Sequence, residues 1–267
     1  MKGRVLIIAG SDSGGGAGIQ ADIKTVTALG GFAMTAITAI TAQNTRGVAA
    51  VHDIPPLVVA EQIKVTMDDL GADCIKVGML SNPSIIDVVH KTLQQEVPEV
   101  PIVLDPVMIA KGGASLLTNE AVDSLKELLL PKAFLLTPNI PEAIALSQLE
   151  RDLTDDSELL LNVLLGMGSN AILLKGGHRE GDLIVDFFQE HGRNVMRFEN
   201  PRIQTNDTHG TGCTLASAIA TGISQSLTLE QSIIRARKYV YEAIMAAPGL
   251  GEGHGPLNHG HLIPNYK

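Results

Sequence analysis

Cysteine is nearly absent from this chain: 267 residues carry two, Cys74 and Cys213, far apart in sequence. Neither lies in a Cys-x-x-Cys pair, which argues against a thiolate zinc site. Both are expected as free thiols in a reducing, cytoplasmic setting. Basic residues are outnumbered, 20 Lys and Arg against 29 Asp and Glu, for a formal net charge of -9. That balance offers no footprint for nucleic acid, and no block of like charges suggests an interaction tail. No apolar run is long enough to span a bilayer, so no membrane contact is expected. The opening MKGRVLIIAG turns straight into a Gly-rich loop where a cleavage region would lie, so no signal peptide is expected. A Pro- or Ser-rich linker, an internal repeat and a low-complexity segment are also lacking, and a single domain over residues 1–267 is the simplest organisation. Two glycine motifs are missing as well. In GSDSGGGAG (Gly10–Gly18), Gly14 and Gly16 would need a glycine where Ile19 stands to complete G-x-G-x-x-G, and no Gly-Lys-Ser/Thr phosphate loop exists. A dinucleotide-dependent oxidoreductase is thereby disfavoured.

What is present is apolar sequence in short runs, 45% of the chain being hydrophobic. Val5–Ala9, Cys74–Val77, Ile102–Leu104, Phe134–Leu136 and Ala171–Leu174 read as buried strands. Helical patterns fall between them at Ile19–Leu29, Leu57–Leu70, Pro83–Gln95, Glu120–Leu130 and Asp156–Met167, with further helices at Cys213–Ser224 and Leu229–Ala247. This alternation predicts an α/β fold with a mainly parallel sheet flanked by helices. Met34–Ala42 with Gly47–His52, and Asp182–Phe188 with Asn194–Phe198, predict small antiparallel additions.

Ligands of open parallel sheets bind beyond the carboxyl ends of the strands, so the residues after each strand carry the functional reading. Gly10–Gly18 is either a plain strand-to-helix turn or a close-fitting loop over a small substrate, with Asp12 and Asp22 nearby. In THGTGC (Thr208–Cys213), Gly210, Thr211 and Gly212 leave backbone N–H groups free at a helix start, an anion hole aided by the helix dipole. Cys213 then falls in the first helical turn. A thiol there is expected below its ordinary pKa of about 8.5, able to take a proton from a substrate hydroxyl; the bland alternative is a buried inert cysteine. Asn139 and Glu142 in TPNIPE share a helix-start face with Asp105 nearby, oxygen ligands of the kind magnesium takes, although a first-turn Glu is more often only a solvated acid. Lys175, between an apolar strand and two glycines, is either a point charge for phosphate oxygens or a surface lysine. Gln43 can pair its amide with a planar heterocycle, and Met79 and Val107 can wall a flat apolar pocket. His254, His259 and His261 in GHGPLNHGH fit no common metal spacing and suggest a structured C-terminal segment.

Taken in order, GSDSGGGAGIQAD, TAQNTRGV, KVGML, LDPVM, TPNIPE, LLKGGH and HGTGCTLASAIA resemble the hydroxymethylpyrimidine kinase/phosphomethylpyrimidine kinase family of thiamine biosynthesis, within the ribokinase-like superfamily. The resemblance runs from the first strand to GHGPLNH. It implies a three-layer ribokinase-like fold and two successive phosphoryl transfers from ATP, with Mg2+, onto 4-amino-5-hydroxymethyl-2-methylpyrimidine and then its monophosphate. It makes Gln43 the reader of the aminopyrimidine edge, Met79 and Val107 the walls around the ring, Cys213 the base where most superfamily relatives carry aspartate, Lys175 the phosphate-binding lysine and Glu142 the magnesium-linked glutamate. The candidate set is therefore Cys213, Lys175, Gly210 and Gly212 for catalysis; Gln43, Met79, Val107, Gly10 and Asp22 for substrate; Lys175, Asn139, Thr208 and Thr211 for ATP; and Glu142 with Asp105 for metal. A homodimer is implied by the resemblance alone. The nearest competing activity is pyridoxal kinase, whose thiamine-type members carry a second cysteine after LDPVM where this chain has Ala110. A non-enzymatic pyrimidine sensor is disfavoured by the phosphoryl-binding residues.

Overall fold

The computed structural model describes residues 1–108, 113, 117–149, 156–177 and 181–263. Its strands are β1 (Arg4–Asp12), β2 (Phe32–Asn44), β3 (Gly47–Asp53), β4 (Cys74–Val77), β5 (Ile102–Leu104), β6 (Leu135–Leu136), β7 (Ala171–Leu174), β8 (Leu183–Glu190) and β9 (Met196–Pro201). They form one nine-stranded sheet in the order β3-β2-β1-β4-β5-β6-β7-β8-β9. The strands from β2 to β7 in that order pair in parallel, while β3, β8 and β9 join antiparallel at the two ends. Three of the expected strands match to the residue, and both expected hairpins are present.

Side chains alternate across a strand, and here that alternation builds two cores. Val5, Ile7, Ala9, Val103, Leu135, Ala171 and Leu173 point to one face and pack under α1 (Gly18–Ala28), α7 (Thr211–Ser224) and α8 (Leu229–Met245). Leu6, Ile8, Ile75, Val77, Leu104 and Ile172 point to the other, under α2 (Pro56–Asp69), α3 (Pro83–Glu96), α4 (Asn119–Ser124), α5 (Ile140–Ser147) and α6 (Ser157–Gly166). Both faces are covered, which is why the central strands read as unbroken apolar runs. One residue departs from that pattern: Lys76 sits in β4 on the α1–α7 face and is fully buried.

The expected helix Glu120–Leu130 is corrected by the structure. α4 ends at Ser124, Leu125–Leu129 form a π-turn, and a 3-10 turn covers Leu130–Lys132. Pro131 has no N–H to continue an α ladder, and the wider turn before it absorbs the mismatch. The C-terminal segment is structured, as its composition suggested. The His254 N–H donates to the Thr45 carbonyl at 2.8 Å, the His209 N–H donates to the Gly255 carbonyl at 3.0 Å, and His259 Nε2 lies 2.9 Å from Thr214 Oγ1. The strap thus ties the β2–β3 turn to the start of α7.

β1 pairs with β2 on one side and β4 on the other. The chain therefore leaves β1 in opposite directions, which opens a crevice at the carboxyl ends of the strands.

Candidate active site

A cavity of about 870 Å³ occupies that crevice. Of the residues singled out from sequence, Gly10, Gln43, Met79, Asp105, Val107, Asn139, Glu142, Lys175, Thr208, Gly210, Thr211, Gly212 and Cys213 all border it. Asp22 does not. Its side chain is fully buried beneath the wall, with its Oδ2 2.8 Å from Lys76 Nζ and its Oδ1 accepting from Ser217 Oγ at 2.7 Å. The expectation that Asp22 touches substrate is corrected: it is the counter-charge of a lysine that no apolar strand could otherwise bury.

One cluster gathers at the ends of β5 and β7. Lys175 Nζ lies 2.8 Å from Asp105 Oδ1 and 3.8 Å from Glu142 Oε2. Thr137 Oγ1 donates to Asp105 Oδ1 at 3.2 Å. Asn139 and Glu142 form a capping box on α5: the Asn139 side chain accepts from the Glu142 N–H at 2.9 Å, and Glu142 Oε2 accepts from the Asn139 N–H at 2.8 Å. Glu142 is not a solvated first-turn acid. Burial pushes its carboxyl up to about 7, with Lys175 opposing the shift and Asp105 adding to it. Burial works against the Lys175 ammonium, yet Asp105 and Glu142 outweigh it and the pKa rises. A Cβ on Gly212 would stand 3.3 Å from Lys175 Nζ, so the start of α7 lies directly over this charged group.

A second cluster pins the Gly-rich loop to α7. Asp12 accepts from the N–H groups of Gly14, Gly16 and Ala17 at 2.8, 3.1 and 2.8 Å, and its Oδ2 lies 2.8 Å from His209 Nε2. Burial would raise the Asp12 carboxyl, but His209 and those N–H groups together hold it below its ordinary value. The same His209 nitrogen is 3.3 Å from Gln43 Nε2, and Gln43 Oε1 accepts from Thr41 Oγ1 at 3.1 Å. Gly210 has φ +81, and a Cβ there would lie 1.8 Å from the Gly16 carbonyl oxygen, so only glycine allows the two loops to meet. The Thr211 N–H reaches the Thr208 carbonyl at 3.4 Å, and Thr211 Oγ1 donates to the same oxygen at 2.8 Å. Among the described residues, the N–H groups of Gly212 and Cys213 meet no backbone acceptor outside the helix, which leaves an anion-binding helix start.

Cys213 sits in that first turn at the cavity edge, and the Gly18 N–H at the start of α1 also reaches its sulfur. The expectation of a lowered thiol pKa is corrected. Burial pushes the thiol up to about 11; Lys76 pulls it back, while Asp22 and Asp105 raise it further. Desolvation acts on the whole charge, whereas the dipole of a helix start supplies only about half a charge. Cys74, the other free cysteine, is buried in β4 with its thiol raised by desolvation, away from the cavity.

The sequence profile of the family described as phosphomethylpyrimidine kinase matches residues 12–258. The chain belongs to the phosphomethylpyrimidine kinase family. The hydroxymethylpyrimidine/phosphomethylpyrimidine kinase of Bacillus subtilis is 44% identical over 256 residues, covering 96% of this chain and 94% of that protein. The thiamine biosynthesis bifunctional protein ThiED of Geobacter sulfurreducens is 47% identical over 258 residues, 97% of this chain; this chain spans about half of that longer relative, 52%. In three dimensions, an ADP complex of Bacillus subtilis pyridoxal kinase matches with a TM-score of 0.90 at 32% identity, over 99% of this chain and all of that one. The chain is thus a kinase of this family on a ribokinase-like fold.

In this phosphomethylpyrimidine kinase family member, sequence pattern alone assigns no role to His209 or Lys76. His209 lies inside THGTGC, where the glycines and the cysteine carry the anion-hole pattern. Lys76 carried a usable signal: a lysine inside Cys-Ile-Lys-Val must find a buried partner, and Asp22 stands equally alone among Ile19, Ala21, Thr25 and Val26 on α1. Ala110, and His178 at the end of LLKGGH, lie outside the described residues. No helix among the described residues is long and apolar enough to cross a membrane.

Proposed function

We propose that this chain transfers the γ-phosphoryl group of ATP to the hydroxymethyl oxygen of 4-amino-5-hydroxymethyl-2-methylpyrimidine, and then a second phosphoryl group to the resulting monophosphate, in thiamine biosynthesis. The observation that carries this is the convergence of an anion-binding helix start, the Lys175–Asp105 pair and the Cys213 thiol on one cavity of a kinase-family fold. Gln43, Met79, Val107 and Gly10 surround the ring. The Gly210–Cys213 turn and Lys175 hold the moving phosphoryl, and Asn139, Thr208 and Thr211 contact the nucleotide. The hydroxyl oxygen bonds to the γ-phosphorus, the bond to the ADP oxygen breaks, and the hydroxyl proton passes to Cys213 Sγ in its thiolate form, the thiol having first given its own proton to water in the cavity. Positioning and charge stabilisation account for most of the acceleration.

The donor chemistry at Asp105 and Glu142 fits magnesium. Two carboxylates stand together at the cavity, and the raised Glu142 carboxyl has a charge that a cation would stabilise. Magnesium held by few protein carboxylates keeps several waters and substrate phosphates, so Asp105 and Glu142 would suffice as its protein ligands here. Bound there, magnesium supplies neutralisation of the phosphate oxygens.

The ADP-bound relative supports the nucleotide assignment. A homodimer and a cytoplasmic setting go with this reading, and one nine-stranded sheet supports a single domain. The pyridoxal kinase likeness keeps vitamin B6 as a second substrate. ADP release measured with hydroxymethylpyrimidine, its monophosphate, pyridoxal or no acceptor is the test. Pyrimidine-dependent release with both pyrimidines is expected; release with pyridoxal alone reassigns the substrate, and release with none removes the kinase reading.

A further inference from the structure

Two buried charges stand under the active-site wall with no part in the transfer described above. Lys76 and Asp22 have no exposed side-chain surface and lie 2.8 Å apart. Burying such a pair is costly, and an apolar pair of similar volume often serves a core equally well. Its location gives it a use. Asp22 is held from α7 by Ser217 Oγ at 2.7 Å. Ser217 and Cys213 are four residues apart on that helix, so they share one face, with Cys213 a turn nearer the cavity. Lys76 and Cys213 both border the cavity. A Cβ on Gly78 would lie 2.7 Å from Lys76 Nζ, so the backbone closes over the ammonium and keeps it from swinging away.

We propose that Lys76 is a positioning residue for the transfer: its ammonium, clamped by Asp22 against the Cys213 face of α7, is the counter-charge that lets the thiol part with its proton. The proposal deepens the reading of Cys213 as proton acceptor and rests on it. The charged groups that act on the sulfur are Lys76 from β4, Asp22 from α1, Asp105 beyond β5 and Lys175 beyond β7. Lys175 is already engaged by Asp105 and Glu142 and is the group that meets phosphate. Lys76 has no exposed side-chain surface and is paired with Asp22, so its ammonium stays charged while Lys175 meets the phosphate. Asp22 has two opposed effects: it fixes the ammonium, and its own charge resists the thiolate.

That opposition supplies the test. The rate of iodoacetamide alkylation at Cys213 is measured at pH 8 by peptide mass spectrometry, with fully buried Cys74 giving no competing signal. Neighbouring charges typically move a pKa by about 1–3 units, so K76M is expected to slow alkylation about tenfold or more. D22N removes the opposing carboxylate and leaves the Cys213 thiolate as the remaining partner of the Lys76 ammonium, so it is expected to speed it. A purely structural role would move both variants in the same direction. Should K76M not fold, the K76M/D22N double variant leaves no buried charge unpaired; its rate is expected below that of the native chain. Unchanged rates, or shifts of the same sign in the two single variants, overturn the proposal. C213A turnover separates the two claims. Full turnover with shifted alkylation removes the proton acceptor but leaves the coupling; lost turnover with unshifted alkylation does the reverse.

Discussion

Two lysine–carboxylate pairs sit at the carboxyl ends of this sheet, each 2.8 Å long, and they differ in one respect. Lys76–Asp22 has no exposed side-chain surface, while Lys175–Asp105 retains 14% and 2%. The difference lies in what covers them. α1 and α7 close over the first. The second lies under Gly212, whose missing side chain leaves Lys175 open to the cavity. A sealed pair can only set the field around its neighbours. An open one can exchange its carboxylate for a phosphate. The pair distance is the same in both, and access to ligand assigns the role.

The widest gap between the pairs is expected in turnover. Lys175→Met removes the charge that meets the phosphoryl group; kcat should fall about 10³-fold or more, given what a transition-state cation contributes in phosphoryl transfer. Steady-state ADP release reads this, and a loss below tenfold would place phosphate elsewhere. Stability should separate the pairs in the other direction. Lys76→Met strands a carboxylate in the core, and breaking a buried pair typically costs about 3–5 kcal/mol. Lys175→Met should cost clearly less, because Asp105 keeps Thr137 as a donor and the cavity admits water. Urea denaturation of both variants is the measurement; equal losses would erase the distinction. The open site also carries a third charge, Glu142, raised from 4.5 to about 7. Its carboxyl holds a proton more tightly in the folded chain than in the unfolded one. Folding therefore takes up a proton between those values, and stability declines as pH rises from about 4.5 to 7, by at most about 1.4 kcal/mol per pH unit. In the absence of divalent cations, Glu142→Gln should flatten that slope, and an unchanged slope would assign it to another group.

The sheet was legible in the sequence because strands buried on both faces have few ways to be written: Cys74–Val77 and Ala171–Leu174 appear as bare apolar runs between turns. The break at Leu125 was not, since a π-turn inserts one residue into an otherwise regular apolar pattern and only Pro131 hints at it. Most of the site was legible too, because Gly210, Gly212, Asn139 and Lys175 follow strands or open helices, positions that face a ligand in this architecture. The thiol of Cys213 shows the limit. Its place at a helix start can be read from spacing, but the depth of cover above it cannot, and depth decides the sign of its shift. Asp22 was misassigned for the same reason: a carboxylate near a substrate loop looks identical in sequence whether it faces in or out.

The smallest expected effect lies at the ring end of the cavity, where no ion pair is involved. Gln43 is held by Thr41 Oγ1, which donates to its carbonyl, while its amide nitrogen lies 3.3 Å from His209 Nε2, the nitrogen that meets Asp12. Its amide is therefore oriented before any ligand arrives, so little ordering entropy is lost on binding. A neutral hydrogen bond contributes about 0.5–1.5 kcal/mol, so Gln43→Ala should weaken pyrimidine binding roughly two- to twelvefold, with kcat largely kept. Calorimetric titration with hydroxymethylpyrimidine reads the first quantity and ADP release the second. A kcat loss as large as that of Lys175→Met would mean that Gln43 acts through His209 and Asp12 on the α7 start, joining the ring end to the phosphate end. Unchanged affinity would mean that the ring is read by the walls at Met79 and Val107 alone.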